Sequence, residues 1–198
     1  MRLLLATTSP DKLAEIRTVL ADAPVDLLSL GDVPRIRAPD ETGATFADNA
    51  RLKALYYASQ TGLHVAADDS GLEIDALDGA PGVLSARYDG STYPERFASI
   101  YRALAQRGAA GSLARYVCAV ALAAGPSVIF EAIGTVEGSL APEPRGTGGF
   151  GYDPIFFYEP YDRTFAEITA SEKLAVNHRR RAFEALRAFL IRTKGLSE

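Results

Sequence analysis

The pattern of apolar residues changes character along the chain, and that change limits the folds open to it. Arg2 to Thr7 and Val25 to Leu30 read as buried strands flanking a helix with Leu13, Ile16, Val19 and Leu20 on one face. Farther on, Arg115 to Ala124 and Val128 to Leu140 alternate as two long strands around a Gly125-Pro126 turn. Strand-helix alternation followed by directly paired strands predicts an α/β fold with a mixed β-sheet and flanking helices, not a purely parallel sheet.

Local stop and start signals refine this outline. Ser9-Pro10 supplies an N-cap and a first-turn proline. Thr45 with Asp48 makes a variant capping box for a helix from Phe46 to about Gln60, after a polar loop from Pro34 to Ala44. His64 to Ala67 is expected as a short strand ending in Asp68-Asp69, with Ser70-Gly71 turning the chain. Thr92 and Pro94 open a further helix that Gly108 closes, and a single helix is expected from Glu172 to Lys194.

The 198 residues carry 21 basic and 25 acidic side chains, a net charge of −4, which gives no general attraction for nucleic acid or an anionic membrane. The apolar N-terminus reaches Thr7 too soon for a signal segment, and no run approaches a membrane span. Cys118 is the only cysteine and sits in an apolar strand pattern, so it is expected as inert core in a cytoplasmic, reducing setting.

Four groups of residues carry chemistry. Gly146 to Pro154 sets four glycines around Phe150 and Tyr152, which suits either a pocket wall offering a ring for stacking or a tight turn bearing core aromatics. Thr7-Thr8-Ser9-Pro10-Asp11-Lys12 brings hydroxyls, an ammonium and free amides to a helix start, as a phosphate site or as ordinary capping. Asp40-Glu41 and Asp68-Asp69 can hold Mg²⁺ bridged to phosphate, or be solvated turn acids. Lys53, Lys173, His178 and Arg179 are donors that also fit solvated helix faces.

Taken in order, Ala6 to Lys12 with Glu15, Glu41-Thr42-Gly43 with Thr45-Phe46 and Asn49-Ala50, Ala67 to Leu72, Gly79 to Gly82 with Ser85 to Tyr88, the glycine-aromatic run, and Glu172-Lys173 with His178-Arg179 closely resemble the inosine triphosphate pyrophosphatase (Ham1-like) family. The resemblance runs from the first strand to the last helix. It implies one elongated domain of two lobes over residues 1–198 with the active site in the cleft between them, usually a homodimer. It implies a Mg²⁺-dependent hydrolase that cleaves ITP, dITP and XTP between the α- and β-phosphates, clearing deaminated purines from the nucleotide pool.

Carried over position by position, the resemblance implicates Thr7, Thr8, Ser9, Pro10, Asp11, Lys12 and Lys53 in holding the triphosphate and Asp69 as the base that activates water. Asp40 or Glu41 with Asp68 or Asp69 would surround Mg²⁺, and Ser70 would touch substrate. Phe150, Gly151, Tyr152 and Asp153 would form the nucleoside wall, with Lys173, His178 and Arg179 closing on the base. Ser9 stands where the family usually has Asn, and Asp48 where it usually has Glu, so the phosphate grip loses an amide donor. Two further readings are a house-cleaning pyrophosphatase for other modified nucleotides and a nucleotide sensor without hydrolysis.

Overall fold

The computed structural model describes residues 1–109 and 111–193. Seven strands form one sheet: β1 (Arg2–Leu5), β2 (Asp26–Ser29), β3 (His64–Ile74), β4 (Leu113–Ala124), β5 (Ser127–Leu140), β6 (Phe156–Tyr158) and β7 (Arg163–Thr164), in the order β2-β1-β3-β4-β5-β6-β7. β1 pairs parallel with both β2 and β3, with Leu3 opposite Leu27 and His64. β6 pairs antiparallel with β5 and β7. Neighbouring β4 and β5 are joined by two residues, a link that only an antiparallel pair permits. The sheet is mixed, as the change in apolar pattern predicts.

Among the described residues five α-helices accompany it: α1 (Pro10–Val19), α2 (Phe46–Thr61), α3 (Tyr93–Gln106), α4 (Ala170–Val176) and α5 (His178–Arg192). Their starts follow the capping chemistry. Ser9 Oγ accepts from the Lys12 amide, and Thr45 and Asp48 satisfy each other's backbone donors in a complete capping box. Thr92 does the same with Glu95.

The chain divides into two compact units. The first comprises Met1–Ser70, Cys118–Gly134 and the chain from His178; the second comprises Gly71–Val117 and Thr135–Asn177. Each has its own core. Leu3, Leu5, Ile16, Leu20, Val120, Phe183, Leu186 and Leu190 pack in the first, and Leu72, Ile100, Tyr116, Phe156 and Phe165 in the second. Strands β3, β4 and β5 run through both units.

Two sequence expectations need correction. The strand beginning at His64 does not end at the acid pair but continues through Asp68-Asp69-Ser70-Gly71 to Ile74. Acids disfavour strand interiors only while their charge is uncompensated, and here lysines, an arginine and an asparagine from remote positions compensate it. Gly71 is not a turn. A Cβ there would collide with Ser85 Oγ and lie 2.7 Å from the Gly82 carbonyl oxygen, so the glycine admits a close neighbour to an extended strand.

The expected helix from Glu172 to Lys194 is two helices, broken at Asn177, whose φ −72° and ψ 162° are extended. Asn177 has the backbone of a residue that precedes a helix, where Asn is favoured over a helix interior. The break puts Lys173 in the second unit and His178-Arg179 in the first. The expected end at Lys194 lies outside the described residues.

Candidate active site

In the first unit, side chains from α1, α2 and α5 converge on two adjacent carboxylates of β3. Successive residues of a strand face opposite ways, so Asp68 and Asp69 enter different surroundings. Asp68 is 2% exposed; its Oδ2 accepts from Lys12 Nζ at 3.0 Å and lies 3.7 Å from Arg179 Nε. Burial opposes its ionisation, but the charges of Lys12, Arg179 and Lys53 overcome this and hold the carboxyl well below the usual range.

Asp69 is set differently. Its Oδ2 accepts from Asn49 Nδ2 at 2.9 Å, and its Oδ1 lies 3.4 Å from Lys53 Nζ. Burial raises its carboxyl above the ordinary aspartate range, and Lys53 offsets this only in part. Lys53 also donates to Glu41 Oε1 at 2.6 Å, so one ammonium bridges two carboxylates. Burial works against the Lys53 charge, yet Asp69, Asp68 and Glu41 together raise its pKa. The paired groups therefore both shift upward: burial wins for Asp69, and three acids win for Lys53.

At the start of α1, the Ser9 amide donates to Thr7 Oγ1, and Lys12 reaches from the first turn to Asp68. Thr8, Pro10 and Asp11 are exposed. Arg179, in the first turn of α5, is 1% exposed; it donates from Nη1 to Glu15 Oε2 at 2.6 Å and from Nη2 to Ser70 Oγ at 2.9 Å. Its neighbour His178 is 4% exposed, with Nε2 3.5 Å from Arg179 Nη2. Cys118 is buried as expected, but its Sγ lies 3.9 Å from Asp68 Oδ2, and burial together with that charge pushes the thiol up to about 12.

The second unit holds the glycine-aromatic run, which separates its two rings. Tyr152 is 3% exposed, donates to the Ser85 carbonyl at 2.8 Å and packs edge-on against Tyr93. Phe150 is half-buried, with Lys173 Nζ 3.9 Å from its ring centroid. Asp153 is 1% exposed and joins the parts: its Oδ2 accepts from Lys173 Nζ at 2.5 Å and from the Phe150 amide at 2.8 Å. Gly149 makes room for that carboxylate, since its φ is +67° and any Cβ would collide with Asp153 Oδ2.

The structure thus brings Lys12, Lys53, Glu41, Asp68, Asp69, Ser70 and Arg179 together in the first unit, and Phe150, Asp153 and Lys173 in the second. Asp40 is exposed in its loop and has no part in the Lys53 bridge. Three organising residues have roles that the sequence did not assign, although Asn49 and Glu15 belong to the pattern that carries the family resemblance. Asn49 is fully buried and ties Asp69 to the Gly43 amide; its local signal is a polar residue on an otherwise buried helix face. Glu15 anchors Arg179, and Tyr116 donates to Asp153; neither has a local signal.

Hard carboxylate oxygens suit Mg²⁺, and a site of one or two carboxylates completed by substrate phosphate is its common mode. Glu41 and Asp69 fit that mode, because they already share a single cationic partner. Among the described residues, no group of three or more His, Cys, Asp or Glu is placed to hold a metal ion.

Fold and site together define a mixed α/β protein whose first unit concentrates carboxylates, ammonium groups and hydroxyls around one long strand and the starts of two helices. The chain belongs to the Ham1 family, whose model matches residues 3–189. It is 46% identical over 195 residues to the dITP/XTP pyrophosphatase of Streptomyces coelicolor, covering 93% of this chain and 94% of the relative. The dITP/XTP pyrophosphatase of Gloeobacter violaceus is 47% identical over 188 residues, covering 93% and 91% respectively. A solved HAM1 protein from Coxiella burnetii superposes with a TM-score of 0.88 at 40% identity, covering 97% of this chain and 99% of that one.

Proposed function

We propose that this chain hydrolyses noncanonical purine nucleoside triphosphates, ITP, dITP and XTP, to the nucleoside monophosphate and pyrophosphate. The observation that carries the reading is the split of two neighbouring carboxylates: Asp68 is locked as an anion by Lys12 and Arg179, while Asp69 is raised in pKa and held only by Asn49 and the shared Lys53. Two acids pushed apart by their surroundings are how one site keeps a fixed charge and a proton acceptor side by side.

In this reading Asp69 accepts the proton of the attacking water. Glu41 and Asp69 would hold Mg²⁺, which would supply positive charge against the phosphate oxygens and the departing pyrophosphate. Asp40 and Asp68 flank that pair, with Asp68 serving as fixed charge. Thr7 to Lys12 and Lys53 hold the triphosphate with hydroxyls, helix-start amides and ammonium groups, and Ser70 touches it from β3. Ser9 contributes a hydroxyl in place of an amide.

Phe150 is the stacking ring, because its companion Tyr152 is enclosed in the core. Gly151, Tyr152 and Asp153 shape the turn behind it. The family resemblance assigns Lys173, His178 and Arg179 to recognition of the 6-oxo group of hypoxanthine or xanthine. Adenine presents an amine there, and donor facing donor leaves buried groups unpaired, which is the strongest form of discrimination. The same reading makes the enzyme a cytoplasmic homodimer; no helix among the described residues is long and apolar enough to cross a membrane.

The deciding experiment measures pyrophosphate and monophosphate release with Mg²⁺ from ITP, dITP, XTP, GTP and ATP. Release from the first three at a kcat/KM at least about a hundredfold above ATP supports the reading. No release from any of them, or equal rates with ATP, overturns it.

A further inference from the structure

We infer that Tyr116 is a positioning residue that fixes the nucleobase-facing turn through Asp153, an inference that rests on the assignment of Phe150 to the nucleoside wall. Tyr116 lies on β4 and is 6% exposed, its ring packed in one cluster with Phe156, at 4.7 Å between centroids, and Phe165, stacked at 6.1 Å, which also touch each other at 4.9 Å. A ring enclosed in a close-packed aromatic cluster has little room to swing, so its hydroxyl is held in place. That place is 3.1 Å from Asp153 Oδ1. Burial and the Asp153 charge raise the phenol well above its ordinary pKa, so it acts as a donor at neutral pH.

Asp153 then has three donors arriving from three parts of the second unit: the Tyr116 hydroxyl from β4, the Lys173 ammonium from α4 and the Phe150 amide from the turn itself. Only Tyr116 belongs to a long, rigid strand. Its bond fixes the carboxylate, the carboxylate fixes the Phe150 backbone, and it holds Lys173 Nζ over the Phe150 ring. The collision that any side chain at Gly149 would make with Asp153 Oδ2 shows independently that the turn is shaped around this carboxylate. Burial raises the Asp153 pKa, and Lys173, the Phe150 amide and Tyr116 each oppose the rise.

Tyr116→Phe keeps the ring and removes the donor. Two readouts test the inference. The amides of residues 146–153 are expected to exchange hydrogen faster in Tyr116→Phe at a temperature where the rest of the chain keeps its protection. With ITP, KM is expected to rise about tenfold with kcat within about twofold, the size of one lost hydrogen bond to a charged group. The KM rise is expected to begin at higher pH on the acid side than in the wild type, since Asp153 with one donor fewer protonates sooner. In an Asp153→Ala background, which removes the acceptor, the Tyr116→Phe change is expected to add nothing further.

Unchanged exchange in 146–153, or an additive effect in the Asp153→Ala background, overturns the positioning role. A fall in kcat with KM unchanged does the same. If the wild-type chain hydrolyses no ITP, the functional reading fails, and the exchange measurement still decides what Tyr116 does to the turn.

Discussion

Replacing Arg179 with Met separates the structural work of this side chain from any role at the base. The guanidinium is 2% exposed and lies against Glu15 at 2.6 Å, Ser70 at 2.9 Å and Asp68 at 3.7 Å. Met fills much of the volume without the charge. Removing one partner from a buried ion pair costs about 3–5 kcal/mol, because the other charge is left without compensation. Here the lower end applies: Asp68 retains Lys12 at 3.0 Å, and Glu15, 14% exposed, can recover some hydration. At about 2–4 °C per kcal/mol for a chain of this size, a loss of about 3 kcal/mol lowers Tm by about 6–12 °C.

The pH dependence has a definite sign. Asp68 has a folded-state pKa below its unfolded value, so its contribution is present above the unfolded pKa and is lost as pH falls toward the folded one. The stability gap between wild type and Arg179→Met is therefore full at pH 7 and narrows below about pH 4. Thermal melts and urea titrations over pH 3–7 measure it. Arg187→Met, whose partner Asp22 is exposed, serves as control and is expected to lower Tm far less, because solvent screens an exposed pair. A loss at pH 7 no larger than that of the control, or a gap that stays constant into acid, would falsify the claim that Arg179 compensates Asp68.

Two further outcomes follow from the same site. Asp69→Asn is expected to abolish turnover with the fold intact. The raised folded pKa of Asp69 means its contribution is present below the unfolded pKa and is lost as pH rises through the folded one, so the variant's Tm relative to wild type should climb between pH 4 and 7; near-normal turnover removes Asp69 as the base. Chelation by EDTA is expected to stop hydrolysis while leaving Tm within about 1 °C, since the described residues supply no cluster of three metal-binding side chains and Lys53 already bridges Glu41 and Asp69; a clear drop in Tm would mean a resident structural ion.

Much of the fold is written in short-range signals. Ser9-Pro10, Thr45 with Asp48 and Thr92 with Pro94 mark helix starts because a cap is satisfied by residues two or three positions away. The two long strands around Gly125-Pro126 declare themselves by alternation. The same logic misplaced the end of β3 and missed the break at Asn177, because acids and an asparagine were weighed against their neighbours in sequence. The site followed the same division. Its residue types were legible, but Tyr152 and Phe150, two positions apart between glycines, could not be told apart until one proved to be core.

The sequence alone determined the mixed α/β class, the helix starts, the net charge of −4 and the set of acids, lysines and aromatics from which a site can be made. Only the tertiary structure decided that Asp68 and Asp69 face different partners, that Arg179 serves Asp68, and that Asp153 gathers Tyr116, Lys173 and Phe150. The partners of these buried charges lie far off along the chain: Lys12 is 56 positions from Asp68, Ser70 is 109 from Arg179, and Glu15 is 164 from Arg179. Capping and periodicity act over a few residues, whereas the compensation of a buried charge depends on whatever the fold brings within about 4 Å, and that distance is set by the packing of the whole unit.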